Sequence, residues 1–423
     1  MNKISYQRVG ETLYRTELPN GLTVLVLPRP GFQKAYAHFA TRYGGADRRF
    51  FLNGVWEDTP AGVAHFLEHK MFDMADGSNA LQTLSAAGAS PNAYTGSSVT
   101  AYHFSCTEGF YDNLRTLLTF VSQPYFTAES VAKEQGIIGQ EIRMCADNPG
   151  FANYYGLLAS LYARHPLRES VAGSIESIAE ITAETLYHCH EAFYRPCNMV
   201  LCVAGDVNPE RIAAMAEEIL PPARQEKPQR DYGDAEGLAA AESRWEKHMA
   251  VSQPQFYMGA KFAPAEAGLP RLRQELGAEL MLSALLGESS PFFQKLYKDG
   301  LLNRRFASQP DYSADAAHIL MVGESKAPEK VLEMLRKKRD DVSANGFDAA
   351  RFERCRKALY GVYLQSLGSV EFCGRALAEG FFAGYTMPEL FDVLPAISAE
   401  ECAQMAGEML ADERLALAVV RPA

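Results

Sequence analysis

The chain has 423 residues, 47% of them apolar and 22% charged, a composition that suits a globular protein and a length beyond what one hydrophobic core serves. Its formal net charge of −11 argues against a nucleic-acid partner, which would require a basic face. No apolar run approaches the ~20 residues that span a bilayer, and the N-terminal MNKISYQRVGETLYRTELPNG is polar throughout, so the expectation is a cytoplasmic protein with no membrane attachment.

GLTVLVLPR and AYAHFATRYG place apolar strands early in the chain. The segment TPAGVAHFLEHKMFD (59–73) follows. Pro60 and Gly62 precede its apolar-rich run, so a helix is expected to begin near Ala61–Val63. YHFSCTEGFYDNLRTLLTFV reads as a short strand leading into a helix, and YFTAESVAKEQGIIGQEI as a Phe-led turn and a second long helix. The first half closes with ITAETLYHCHEAFYRPCNMVLCVAGDV (181–207), an isoleucine, a Thr182 helix cap, a helix and an apolar strand. LPPARQEKPQRDYGDAEG (220–237) then breaks the pattern with proline, charge and glycine, as a linker does.

Beyond that break the order repeats. QFYMGAKFAP supplies a strand, HILMVGESKAPEKVLEMLRK a strand and helix, and GFDAARFERCRKALYGVY a Phe-led long helix. ISAEECAQMAGEMLADERLALAVVRPA (397–423) ends the chain with Ser398 in the place of Thr182. The repetition predicts a duplicated α+β domain, each copy a mixed or antiparallel sheet with helices packed on one face. Residues 1–220 form the expected N-terminal domain, 221–238 the linker, and 239–423 a homologous C-terminal domain. The eight cysteines are scattered without a C-x-x-C pair, which predicts reduced, buried thiols. His188-Cys189-His190 has the letters of a metal cluster, but alternate residues of a helix point to different faces, so it reads as structural.

The chemistry concentrates in His65-x-x-Glu68-His69. On a helix, His65 and His69 are neighbours on one face, where two imidazoles approach one cation. Glu68 borders that face and reaches a water without being a ligand. Catalytic zinc takes three protein ligands and keeps a position open, so a third ligand must come from elsewhere. Glu141 is the candidate: it lies in SVAKEQGIIGQEIRM, two turns after Glu134 and on the same helix face, so that Glu134 is placed to hydrogen-bond a ligand from behind.

AHFLEHKMF, the Glu134/Glu141 pair and SPNAYTGSSVTAYHFS (90–105) together resemble the insulinase, or pitrilysin, family of zinc peptidases (M16), in particular the bacterial processing-peptidase-like group with two homologous domains per chain. The resemblance spans the whole chain. It implies one Zn2+ per chain held by His65, His69 and Glu141, Glu68 as general base, and Glu134 as the carboxylate behind the ligands. It also implies that Asn92, Ala93 and Tyr94 lie on a strand edge facing the substrate. An extended peptide adds to such an edge through main-chain hydrogen bonds. The implied function is a zinc metalloendopeptidase acting on peptides or unstructured segments.

The second half departs from the family pattern of Ser-Arg-Leu followed by Gly-Leu-Ala-Tyr. In LLGESSPFFQKLYKDGLLNRRFAS (285–308), Pro291 stands where the arginine is expected and Asn303 where the tyrosine is expected. Arg304, Arg305 and Tyr297 are nearby but wrongly spaced. The resemblance therefore implies a zinc-bearing subunit of a dimer, completed by a homologous zinc-free partner that carries the Arg/Tyr pair; a homodimer is the other arrangement. The alternative to an enzyme is a non-catalytic scaffold or peptide-binding subunit, as relatives of this fold without the zinc motif are.

Overall fold

The structure is a computed structural model that describes residues 1–222 and 226–423; residues 223–225, part of the expected linker, lie outside the described residues. Two compact units form. One comprises Met1–Ile142, Ser170–Tyr232 and Leu364–Glu389; the other comprises Arg143–Glu169, Gly233–Tyr363 and Leu390–Ala423.

In the first unit the strands are β1 (Asn2–Tyr6), β2 (Glu11–Glu17), β3 (Thr23–Pro28), β4 (Ala35–Thr41), β5 (Arg49–Leu52), β6 (Val55–Asp58), β7 (Ser90–Thr95), β8 (Thr100–Cys106), β9 (Met199–Gly205) and β10 (Gln229–Asp231). A seven-stranded sheet runs β1-β2-β3-β9-β4-β8-β7, with β3 and β9 parallel and every other neighbour antiparallel. The central strands TVLVLP, AYAHFAT and MVLCVAG are buried along nearly their whole length, so both faces of the sheet need cover. One face packs on helices of the same half, Phe110–Ser122 and Pro209–Ile219. The other is crossed by Val370–Ala383, a helix from the far end of the chain. β10, inside the expected linker, pairs with β5, and Asp231 bonds Arg49.

The second unit holds β11 (Arg244–Met249), β12 (Gln255–Phe262), β13 (Ala307–Ser313), β14 (Ala316–Glu324) and β15 (Leu415–Pro422) in the order β11-β15-β12-β14-β13. β11 and β15 are parallel and the rest antiparallel. This reproduces β3-β9-β4-β8-β7 strand for strand, the duplication expected from sequence. The repeated helices also appear: β8 leads to Phe110–Ser122 and Ala128–Ala146, β14 to Pro328–Asn345 and Ala349–Ser366. Thr182 and Ser398 cap the equivalent helices Ala183–Phe193 and Ala399–Met409.

The units do not follow the linear halves, because two helices change places. Pro149–Leu161, encoded in the first half, packs on β11, β12 and β15, while Val370–Ala383 packs on β3, β4 and β9. The expected picture of helices on one face of each sheet is extended accordingly: the exchanged helix covers the second face. A close approach makes the exchange possible at Gly156, where an added Cβ would lie 2.4–2.7 Å from three atoms of the Trp245 indole. Among the described residues, no helix is long and apolar enough to cross a membrane, and all eight cysteines are free, six of them buried.

Candidate metal centre

The motif helix spans Val63–Lys70 and starts where Pro60 and Gly62 predict. Gly62 is its N-cap at φ 96°, a left-handed conformation that favours glycine, and a Cβ there would sit 2.7 Å from the Ala172 carbonyl oxygen. Ser177 Oγ secures the same turn by donating to the Ala61 carbonyl. Val63, Ala64, Phe66 and Leu67 are buried in the core of the unit, which turns His65 and His69 to the opposite side.

One helical turn apart, the two imidazoles have ring centroids 4.5 Å from each other. Glu141, on the helix Ala128–Ala146, faces both: its Oε1 lies 3.6 Å from His65 Nε2 and its Oε2 3.7 Å from His69 Nε2. One ligand atom from each of the three falls within 4.8 Å of the others, and no second such cluster of His, Cys, Asp or Glu occurs among the described residues. Glu134, two turns earlier on the same helix, accepts a hydrogen bond from His69 Nδ1 at 3.1 Å. That bond places the proton on Nδ1 and leaves the Nε2 lone pair facing Glu141.

The electrostatics suit a cation. Burial, with His69 beside it, holds the His65 pKa down to about 4, so this imidazole is a neutral donor; its Nδ1 is buried with no hydrogen-bond partner among the described residues. Burial opposes charge on His69, yet the bond to Glu134 and the carboxylates of Glu68 and Glu141 outweigh it and raise its pKa. Glu68 is raised by burial and opposed by a hydrogen bond from Thr95. Two imidazoles and a carboxylate, backed by further carboxylates, are the donor set of a catalytic zinc site.

The expected substrate-edge residues divide. β7 ends its sheet among the described residues, with Asn92, Ala93 and Tyr94 upon it. Strand alternation sends Tyr94 to the face away from the motif helix, where its hydroxyl lies 3.4 Å from His38 Nε2. Asn92 pairs with His103 across the ladder and its Oδ1 accepts from the Ala93 amide. Ala93 packs against the core cluster that includes the motif helix, and Thr95 Oγ1 donates to Glu68 Oε2 at 2.6 Å. Tyr94 and Asn92 therefore leave only their backbone on the β7 edge, whereas Thr95, absent from the expected set, touches Glu68 directly. The two-residue period that groups Thr95 with Ala93 was the available signal.

His188-Cys189-His190 behaves as expected of a structural segment. His188 pairs with Glu57, Cys189 is buried, and His190 Nε2 donates to the Val121 carbonyl. In the second unit, Pro291 opens the helix Pro291–Lys298 in its first turn, and Asn303 and Arg305 both donate to Glu324.

The profile of the insulinase family (peptidase family M16) matches residues 53–174, and that of the peptidase M16 inactive domain matches residues 180–359. A Bacillus subtilis protein described as the uncharacterized zinc protease YmfH is 37% identical over 99% of each chain. A Rickettsia felis protein described as an uncharacterized zinc protease is 29% identical over 50% of this chain and 50% of its own. Among solved structures, an M16-like peptidase from Alicyclobacillus acidocaldarius is similar with a TM-score of 0.93 at 35% identity, covering 98% of this chain and 99% of that one. Pitrilysin has a TM-score of 0.78 at 14% identity, over 100% of this chain and 46% of its own, a likeness of fold alone.

Proposed function

The chain belongs to the insulinase (M16) family of peptidases, and from that premise we propose that it is a zinc metalloendopeptidase cleaving peptides or unstructured segments, acting as the zinc-bearing subunit of a dimer. The observation that carries this reading is the convergence of His65, His69 and Glu141, with Glu68 on the helix that carries the two histidines.

His65 Nε2, His69 Nε2 and the Glu141 carboxylate would hold one Zn2+. When bound, the ion supplies Lewis-acid polarisation of a peptide carbonyl and a nucleophilic water at neutral pH. Glu68 takes a proton from the attacking water and returns it to the leaving amine, the work of an acid–base carboxylate within hydrogen-bond reach. Thr95 holds Glu68 Oε2 and leaves Oε1 for the proton. The open edge of β7 aligns an extended substrate through main-chain hydrogen bonds at Asn92, Ala93 and Tyr94, which selects extended segments over folded ones.

The test is Glu68→Gln: zinc stays bound and cleavage of a fluorogenic peptide is lost. Equal inertness of wild type and variant, with a partner chain present, would leave the scaffold reading in its place. The partner itself is proposed from the second half, where Pro291 and Asn303 replace the Arg and Tyr of the family pattern and Arg305 is engaged with Glu324. A homologous zinc-free chain supplying both residues is expected to co-purify and to raise peptidase activity on mixing. Full activity of the isolated chain would remove the need for it.

A further inference from the structure

Lys70 is the last residue of the motif helix, directly after His69, and is 2% exposed. A lysine this far from water requires partners for its charge. Its Nζ donates to Asp73 and lies 3.9 Å from Glu134 Oε2. The other oxygen of Glu134 is the one that accepts from His69 Nδ1. Asp73, Lys70, Glu134 and His69 thus form a continuous polar chain that ends at His69 Nε2, the atom facing Glu141. Neither the ligand set nor the general base accounts for the lysine.

We propose that Lys70 is a positioning residue for metal binding: its buried ammonium holds the Glu134 carboxylate turned toward His69, so that His69 presents Nε2 to the ion. The inference rests on the zinc reading above. Two effects of opposite sign compete here. A positive charge close to a cation site weakens cation binding through repulsion. Asp73 already offsets most of that field by pairing with the same ammonium. Glu134, with its side chain only 14% exposed, has little water to replace the lysine, whereas Asp73 at 42% has ample. Orientation of Glu134 therefore dominates, and removing Lys70 weakens the site.

The experiment measures the zinc dissociation constant of the purified protein by competition with a chromophoric chelator, with the visible spectrum of the Co2+-substituted protein as a second readout of ligand geometry. Lys70→Met is expected to bind zinc ~10-fold more weakly, the lower end for loss of support behind a ligand, and to alter the Co2+ spectrum. Lys70→Arg, which keeps the charge, is expected to stay near wild type. The Lys70→Met, Glu134→Gln double variant is expected to bind no more weakly than Glu134→Gln alone, because the lysine acts through Glu134. Lys70→Gln is measured beside Lys70→Met, so that a folding defect peculiar to one substitution leaves the other to decide. Equal or tighter zinc binding without the lysine overturns the inference, as does an equal loss in both Glu134 backgrounds, which marks a purely structural role. A wild-type chain that binds no zinc at His65, His69 and Glu141 overturns the metal reading and this inference together.

Discussion

Replacing Thr95 by valine removes one hydroxyl and leaves the shape of the side chain. That hydroxyl donates to Glu68 Oε2 at 2.6 Å, a short bond to a carboxylate that is 9% exposed. Hydrogen bonds to charged groups contribute about 1.5–3 kcal/mol, and each 1.36 kcal/mol is tenfold in rate. At the lower figure, a fall in kcat/KM of ~10-fold is expected, carried by kcat, because the lost bond orients the carboxylate proposed as the base and leaves the β7 edge intact. The assay is steady-state cleavage of a fluorogenic peptide by zinc-loaded protein, with metal content measured on the same samples. Thr95→Ser keeps the donor and is expected to retain most of the activity. Wild-type rates in Thr95→Val, or a serine variant as impaired as the valine variant, would refute the assignment; a loss explained by missing zinc would refute it equally.

Three further outcomes follow from the same structure. His38 is fully buried between Tyr36 and His103, and burial pushes its pKa down to about 3. The unfolded chain therefore takes up a proton below the ordinary histidine pKa near 6.5 while the folded chain does not, so stability present above that pH is lost on acidification toward pH 3, by ~2 kcal/mol at pH 5 for this residue. Denaturant titrations at pH 7.5, 6 and 5 are expected to show a shallower decline for His38→Gln, and parallel curves would contradict the reading. Chelation of zinc is expected to lower the melting temperature of the wild type, since a ligand at 1,000 times its Kd stabilises by ~4 kcal/mol; His65→Ala is expected to melt at the same temperature with and without chelator. Gly156→Ala adds a Cβ within 2.7 Å of the Trp245 ring, and overpacking of this kind destabilises by ~1–3 kcal/mol, more than the ~1 kcal/mol of helix propensity gained. Calorimetry that finds the alanine variant more stable would show that the indole gives way.

Local spacing carried the cluster of His65, His69 and Glu141 a long way. His65 and His69 at i and i+4, and Glu134 and Glu141 two turns apart, follow from helical period alone, and Gly62 marks the start of the motif helix because only a glycine suits its φ and the nearby Ala172 carbonyl. The duplication was legible as well, since capped helices at Thr182 and Ser398 each lead into a buried strand, β9 and β15. Tertiary structure alone decided what each apolar face would meet. The helices Pro149–Leu161 and Val370–Ala383 plainly need a sheet, but nothing in their own residues says that each takes the sheet built by the other half. Thr95 became a partner of Glu68 through the placement of β7 beside the motif helix, and Lys70, a residue type normally left in water, was buried because Asp73 and Glu134 converge on it. Helical period is encoded by neighbours a few residues apart. Apart from the Lys70–Asp73 pair, three residues apart, such contacts depend on segments tens to hundreds of residues away, whose meeting is selected by the burial of the whole core.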